Sequence, residues 1–212
     1  MTREQAGERP VLDIRDLGFA YPGQPALATG WTASIGAGVT LLHGDTGSGK
    51  STLLRVLAGT LAARGQLSLD GVRLDQDPER YRRSVFFVDP ATDAFDPLTV
   101  SACTAALREG DAGFDAALWQ RVVDGFALAP HLEKSMFMLS TGSKRKVWMA
   151  AGLASSRPLL LLDEPTGGLD AASIRCLWRI LAEVSQGRTV VVASGERIDA
   201  LPLAATLALP LR

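Results

Sequence analysis

A glycine-rich segment that ends in lysine, serine and threonine has the residue types and spacing needed to hold a chain of phosphate groups. It fits the pattern G-x-x-x-x-G-K-[ST] at every fixed position and consists of Gly44, Asp45, Thr46, Gly47, Ser48, Gly49, Lys50, Ser51 and Thr52. The glycines allow the backbone to curl so that several N–H groups point at one anion. The Lys50 ammonium can reach the β- and γ-phosphates, and the Ser51 hydroxyl can ligate Mg²⁺.

The segments on either side of this phosphate loop are those that such a loop requires. Residues 39–43 are predicted to form a short buried strand that enters the loop. A helix is predicted from residue 51 to about residue 63, with the positive end of its dipole facing the phosphates. An ordinary glycine-rich turn is the alternative, but a chance match that lies between a strand and a helix is much rarer.

An apolar run that ends in two acidic residues, at positions 158–165, complements the phosphate loop. Its four consecutive leucines are typical of a strand that is covered on both faces, as in a parallel sheet. At the carboxyl end of this strand, Asp163 would hold the Mg²⁺ shell, and Glu164 would orient or deprotonate an attacking water. A core strand followed by a solvated acidic turn is the alternative, which the phosphate loop disfavours.

Strand-like and helical patterns alternate along the rest of the chain. The other segments predicted to be strands are residues 11–21, 30–34, 66–71 (ending in an Asp-Gly hairpin signal), 84–88 and 189–193, the last core strand. Helices are predicted over residues 101–108, 114–126 and 144–154, which form an insertion between two strands, and over residues 171–185. This alternation around a phosphate loop predicts an α/β core with a parallel sheet.

Length, charge and cysteine content narrow the class of protein. The chain has 212 residues, 47% of them hydrophobic, and a formal net charge of −1. This length suits one packed core with a smaller lobe, and the near-neutral charge argues against a nucleic-acid partner. Cys103 and Cys176 lack metal-ligand spacing and are interpreted as buried thiols in a reducing compartment.

The N-terminal segment and the lengths of the apolar runs bear on the location of the protein. Residues 1–10 are polar and charged and contain no apolar stretch of the kind that a secretion signal needs. No window reaches the ~18 uninterrupted apolar residues of a membrane span. We therefore expect the protein to be cytosolic or to dock on a membrane through a partner protein.

A third motif, at residues 139–146, lies just ahead of a predicted helix. Ser140 offers a hydroxyl and Gly142 permits close backbone approach, so this helix start is a second candidate anion site. Because no strand leads into it, it would have to share a phosphate with another site. The cations that follow, Lys144, Arg145 and Lys146, are interpreted as a solvated helix face rather than a nucleic-acid patch.

Taken together, these motifs resemble those of the ATP-binding cassette (ABC) ATPases, and the resemblance covers essentially the whole chain. The family's LSGGQ-like signature loop is matched at Leu139, Ser140 and Gly142, whereas Thr141 and Ser143 depart from it. In this family two cassettes close head-to-tail around two ATP molecules. The resemblance therefore implies that the chain binds ATP and Mg²⁺ and pairs with a second ABC subunit, identical or homologous. Ser140 and Gly142 would contact the γ-phosphate of the ATP that is bound to this second subunit.

The resemblance assigns two further residues. Tyr21 lies 23 positions before Gly44, where the family places an aromatic that stacks on adenine. Taken alone, Tyr21 would be interpreted as an aromatic of an edge strand. Residues 167–170 are similar to the family's D-loop, so Asp170 is expected to contact the opposite subunit.

The fold that the resemblance implies is α/β, with a P-loop NTPase core around a central, mainly parallel sheet. An N-terminal antiparallel β subdomain and an inserted α-helical subdomain complete it. The whole chain, residues 1–212, would then be a single ABC ATPase domain. Its core would take about residues 1–90 and 156–212, and its helical subdomain about residues 91–155.

Two positions depart from the family pattern. Val88 stands where the family has a Gln that contacts Mg²⁺ and the attacking water, and Asp89 is a weak candidate to replace it. Gly195 stands where the family has a His that hydrogen-bonds the γ-phosphate, and neither His43 nor His131 is placed to substitute. We therefore expect near-normal binding of ATP and Mg²⁺ but slow hydrolysis, with Lys50 and Glu164 as the catalytic residues.

Three functions compete. The leading hypothesis is the ATP-hydrolysing subunit of an ABC transporter, peripheral on the cytoplasmic face of the cell membrane and coupled to a separate transmembrane permease. The second is a degenerate regulatory cassette that binds ATP in a heterodimer without efficient hydrolysis. The third, a soluble ABC ATPase that acts on nucleic acid or ribosomes, fits poorly because such relatives usually carry two cassettes or long coiled-coil insertions.

Overall fold

The structure is a computed structural model that describes residues 12–211. The expectation about residues 1–10 and the predicted start of the first strand at Val11 lie outside the described residues. Within residues 12–211, no helix has the length and apolar character needed to cross a membrane.

Nine strands and six α-helices follow one another along the described chain, joined in places by single 3₁₀ turns. The strands are β1 (Leu12–Phe19), β2 (Ala28–Ile35), β3 (Gly38–His43), β4 (Arg64–Leu69), β5 (Val72–Arg73), β6 (Val85–Phe86), β7 (Leu159–Asp163), β8 (Thr189–Ser194) and β9 (Ala205–Ala208). The helices are α1 (Lys50–Leu57), α2 (Pro78–Arg83), α3 (Val100–Leu107), α4 (Ala116–Gly125), α5 (Thr141–Ala154) and α6 (Ala171–Val184).

A five-stranded sheet in the order β6-β7-β8-β3-β9 carries the candidate site, and its neighbouring strands are all parallel. The register pairs His43 with Ser194 and Asp163 with Ala193. The carboxyl ends of β3, β7 and β8 therefore meet at one edge of the sheet. This edge receives the phosphate loop, the acidic pair and Gly195, which follow those three strands.

Both faces of the parallel sheet are covered, as the leucine run of β7 predicts. On one face, Leu161 and Val191 pack with α1 and with the antiparallel sheet β2-β1-β4-β5. On the other face, Leu160 and Val192 pack with α3, α4, α5 and α6. Burial of apolar surface on both faces stabilises the edge that holds the site.

The predicted antiparallel hairpin and the helical insertion are confirmed. Asp70 and Gly71, with φ of 49° and 78°, form the tight turn between β4 and β5. Helices α3, α4 and α5 lie between β6 and β7 in the chain. The two thiols, Cys103 and Cys176, are buried and free, as expected.

The predicted bounds of α1 and β6 are wrong, and the parallel sheet contains one strand that was not predicted. Helix α1 ends at Leu57 rather than near residue 63, because Gly59 takes a left-handed φ of 69° and the Thr60 amide donates to the Arg55 carbonyl, 3.0 Å away. Strand β6 contains only Val85–Phe86, shorter than the predicted segment 84–88. Strand β8 is fully buried and is the last core strand, as predicted, but the mostly exposed β9 follows it and pairs in parallel with β3 at the edge of the sheet.

Candidate active site

The phosphate loop connects β3 to α1 and has the conformation that its glycines predict. Gly47 and Gly49 take left-handed φ values of 81° and 99°, which residues with a side chain rarely adopt. Gly49 is also closely packed, because a Cβ there would lie 2.4 Å from Cδ1 of Leu27. The Ser48 amide donates to the Asp45 carbonyl across the loop, at 3.1 Å. Any other residue at position 49 would strain the backbone and would force the Leu27 side chain to move.

Lys50 lies at the centre of the site. Its side chain is only 6% exposed. Its Nζ donates to the carbonyls of Gly44 (2.7 Å) and Asp45 (3.1 Å) and forms an ion pair with Oε1 of Glu164 at 3.1 Å. The structure thus brings together the phosphate loop and the second of the two acidic residues, which the sequence separates by more than a hundred positions.

Asp163 and Ser51 supply the oxygen atoms of the predicted metal site. Burial raises the pKa of the Asp163 carboxyl, and a hydrogen bond from the Ser51 side chain acts in the opposite direction. Oδ1 of Asp163 is buried and has no hydrogen-bond partner among residues 12–211. No group of three or more His, Cys, Asp or Glu side chains in that range is placed to hold a metal ion. One carboxylate and one hydroxyl fit Mg²⁺, which keeps water and phosphate oxygens as its other ligands.

Glu164 is held by the end of β8. Its backbone has a left-handed φ of 44°, and its amide donates to the Ala193 carbonyl at 2.9 Å. The Gly195 amide donates to the Glu164 carboxylate, with distances of 3.1 Å to Oε1 and 3.4 Å to Oε2. A backbone N–H therefore contacts the acid at the position where the sequence lacks the expected His. A Cβ would fit here, because it would lie 3.6 Å from the Gly44 carbonyl oxygen.

Tyr21 lies beside the loop, and the residue is 41% exposed. Its hydroxyl is 3.2 Å from Oγ1 of Thr52, and the Phe19 ring packs edge-on against it with the ring centroids 5.0 Å apart. Tyr21 thus lines an open groove next to the loop, and its stacking on adenine stays a prediction. The groove has a volume of about 340 Å³ and is lined by Tyr21, Gln24, Pro25, Ala26, Leu27, Gly47, Ser48, Gly49, Thr52, Leu209 and Pro210.

The second anion motif begins helix α5 and packs against the loop that follows β7. The Ser140 hydroxyl caps the helix, accepting from the Ser143 amide at 3.2 Å. A Cβ on Gly142 would lie 2.2 Å from the Gly168 carbonyl oxygen. The contacts of Ser140 and Gly142 are therefore with their own helix and the neighbouring loop, and their contact with a second subunit stays a prediction.

Asp170 caps the next helix in the same way. Its Oδ1 accepts from the Ser173 amide at 2.9 Å, and its Oδ2 pairs with Nζ of Lys146 at 2.7 Å. The Lys146 ammonium and the two Ser173 donors lower the pKa of Asp170. Asp170 thus anchors α6 to α5 within one chain, and its predicted contact with an opposite subunit stays a prediction.

The interpretation of the cationic triplet as a solvated helix face is wrong. All three side chains are partly buried and paired within the chain. Lys144 pairs with Asp96, and Nη1 of Arg145 donates to the carbonyls of Glu164 (3.0 Å) and Gly167 (3.1 Å). Sequence reasoning missed this role of Arg145, because a helix-face pattern gives no sign of a partner on a distant loop.

The two departures from the expected pattern differ in structure. Val88 is partly buried and lines a small cavity together with Asp163. Its hydrocarbon side chain offers no polar atom to the site. Oδ2 of Asp89 forms an ion pair with Nε of Arg55 on α1 at 2.8 Å. This pairing directs the Asp89 carboxylate to the phosphate-loop helix, which does not favour Asp89 as a replacement for the missing Gln.

Comparisons with known proteins agree with these features. A sequence model of the family described as ABC transporter matches residues 32–167. The cytochrome c biogenesis ATP-binding export protein CcmA of Rhodospirillum rubrum is 37% identical, covering 95% of this chain and 87% of that protein. CcmA of Paraburkholderia xenovorans is 34% identical, covering 92% of this chain and 94% of that protein. A solved structure of an ATP binding subunit of an ABC transporter superposes with a TM-score of 0.76 at 26% identity, covering 87% of this chain and 79% of that chain.

The fit between Gly142 and Gly168 predicts that Gly142→Ala destabilises the protein. The added methyl would overlap the Gly168 carbonyl, and overpacking of this kind costs about 1–3 kcal/mol of unfolding free energy. Urea unfolding would measure the loss. Gly187→Ala is the matched control, because a Cβ there meets no atom within 4 Å and its change should stay within about 0.5 kcal/mol. Equal stabilities of the two variants would contradict the close fit.

Proposed function

The chain belongs to the ABC transporter family, and we propose that it binds ATP with Mg²⁺ and hydrolyses it slowly as the energy-coupling subunit of a membrane transporter. One observation carries the proposal. The ammonium of Lys50 lies within 3.1 Å of both the phosphate-loop backbone and the Glu164 carboxylate. A phosphate chain in this loop would therefore lie beside the acid that could activate a water.

Each part of ATP has a proposed partner in the site. The loop N–H groups and Lys50 would hold the phosphates, and the exposed face of Tyr21 would stack on adenine. Ser51 and Asp163 would hold Mg²⁺, and the unpartnered oxygen of Asp163 supports this assignment. The metal would neutralise charge on the phosphates.

Slow hydrolysis follows from the two substituted positions. Glu164 would act as the base, but Val88 and Gly195 lack side chains that could hydrogen-bond the water or the γ-phosphate. Each lost hydrogen bond to a charged group is worth about 1.5–3 kcal/mol, which corresponds to roughly tenfold to a hundredfold in rate. The two losses need not add, because residues that act together give non-additive effects.

A second subunit and a permease would complete the transporter. The whole chain would form one cassette, with a core of about residues 1–90 and 156–212 and a helical subdomain of about residues 91–155. The exposed Ser140 and Asp170 would face the second cassette. ATP-driven closure would then move a separate permease, with this subunit on the cytoplasmic face of the cell membrane. The relatives named as ATP-binding export proteins support this role.

A regulatory cassette in a heterodimer is the second candidate function. The observation that favours it is the contact of the Gly195 amide with Glu164, since a backbone N–H takes the place of the expected imidazole near the acid. Such a cassette would retain ATP to hold the dimer closed, and the partner subunit would carry out most of the hydrolysis.

Replacing the proposed base separates the two functions. In the intact transporter complex, Glu164→Gln should lower ATP turnover by about a hundredfold, since a general base contributes roughly 10²–10⁴-fold. ATP binding, measured by calorimetry, should be retained. Unchanged turnover with intact binding would instead assign hydrolysis to the partner and this chain to regulation.

Adding the absent imidazole should accelerate hydrolysis. We expect Gly195→His to raise kcat by about tenfold, the rate equivalent of one hydrogen bond to a charged phosphate. The Cβ position is open, with the nearest atom 3.6 Å away. Gly195→Ala controls for the loss of glycine and should leave kcat near the wild-type value. Equal rates for the two variants would show that the missing His does not limit turnover.

A further inference from the structure

Arg145 joins helix α5 to the loop that carries the acidic residue. Its Nη1 donates to the carbonyl of Glu164 at 3.0 Å and to that of Gly167 at 3.1 Å. A charged donor shared by two carbonyls is a strong contact, since hydrogen bonds of charged groups are roughly twice as strong as neutral ones. The guanidinium therefore fixes the backbone on which the Glu164 side chain is mounted.

The backbone of Glu164 needs such support. Its φ of 44° lies in the left-handed region, which residues other than glycine rarely adopt. Strained backbones of this kind persist only where their surroundings hold them. Here the amide of Glu164 donates to Ala193 at 2.9 Å, and its carbonyl accepts from Arg145 and from the Gly167 amide at 3.1 Å. The residue is thus held on both sides of its Cα.

The loop that follows β7 has room for the Arg145 guanidinium because residue 167 is a glycine and has no side chain. A Cβ on Gly167 would lie 2.1 Å from Nη1 of Arg145. One turn earlier on α5, Gly142 fits against Gly168 in the same way. The start of α5 and the loop that follows β7 therefore pack as one closely fitted unit.

We propose that Arg145 is a positioning residue for ATP hydrolysis, acting by holding Glu164 in its left-handed conformation. The inference rests on the proposed role of Glu164 as the base. In that conformation the carboxylate lies 3.1 Å from both Nζ of Lys50 and the Gly195 amide. Without Arg145, the Glu164 backbone can relax toward the right-handed region, which moves the carboxylate away from the water that it would activate.

A kinetic double-mutant cycle tests whether Arg145 affects hydrolysis through the position of Glu164. Arg145→Ala should lower kcat by about tenfold or more, because misplacing a catalytic group by about 1 Å can cost on the order of a hundredfold. The KM for ATP should change less than about twofold, since the hydrogen bonds of Arg145 are to carbonyls of the loop that follows β7 and not to the phosphate loop. In a Glu164→Gln background, Arg145→Ala should cause no further loss. Arg145→Lys should recover part of the rate.

The matched control for this cycle is Arg121→Ala. It removes another guanidinium that makes two hydrogen bonds, to the Glu183 carboxylate on the surface between α4 and α6, and should leave kcat unchanged. Independent, multiplicative losses from Arg145→Ala and Glu164→Gln, or a rise in KM with unchanged kcat, would overturn the proposal.

A thermal cycle tests the same arrangement without hydrolysis. Arg145→Ala should lower Tm by about 3–6 °C. In a Glu164→Gly background the loss should be larger, because both carbonyl acceptors remain but glycine has no left-handed strain whose relaxation could offset the lost hydrogen bonds. Equal losses in both backgrounds would refute the role of Arg145 in holding this backbone. If Arg145→Ala does not fold, Arg145→Lys takes its place in both cycles.

The two cycles also separate this proposal from the proposed function. Absence of ATP binding in calorimetry would refute the proposed function, while the thermal cycle would still decide whether Arg145 supports the left-handed residue. Intact ATP hydrolysis with equal thermal losses would refute the Arg145 proposal alone.

Discussion

Burial of the Lys50 ammonium is the interaction on which the site depends. A cation that is only 6% exposed is stable only with hydrogen-bond acceptors around it. Two backbone carbonyls of the phosphate loop and the Glu164 carboxylate supply these acceptors. The loop must curl tightly to present its carbonyls, and the acidic strand must end close by. The conformation of the phosphate loop and the position of Glu164 therefore both stabilise the buried ammonium of Lys50.

The parallel sheet makes that convergence possible. Strands β3, β7 and β8 are neighbours in register, so segments far apart in the sequence leave the sheet at the same edge. Their buried leucines and valines hold that edge from both faces. Further out, Arg145 and Lys146 on α5 hold the loop that follows the acids. The candidate signature motif at the start of α5 is thereby connected to Glu164 through the hydrogen bonds of Arg145.

The sequence was sufficient for the parts of the site that depend on local pattern. The phosphate loop, the acidic strand, the helical insertion and the α/β fold class all follow from residue types at fixed spacings, and the predicted ABC family is confirmed by the comparisons. The roles of the individual site residues remain predictions. Strand β9 was missed because its four residues are mostly exposed at the sheet edge and carry no apolar period. The contacts of Gly195 and Arg145 with Glu164 join distant segments, and such contacts leave no periodic signal in the sequence.

Isothermal titration of the folded protein with ATP and Mg²⁺ tests the central claim most directly, because it measures whether nucleotide enters the cradle around Lys50. A measurable heat of binding is expected for the wild type. For Lys50→Ala the affinity should be at least about tenfold weaker, the equivalent of one lost contact to a charged phosphate. Well-folded wild-type protein that shows no heat of ATP uptake, or Lys50→Ala with wild-type affinity, would contradict this claim.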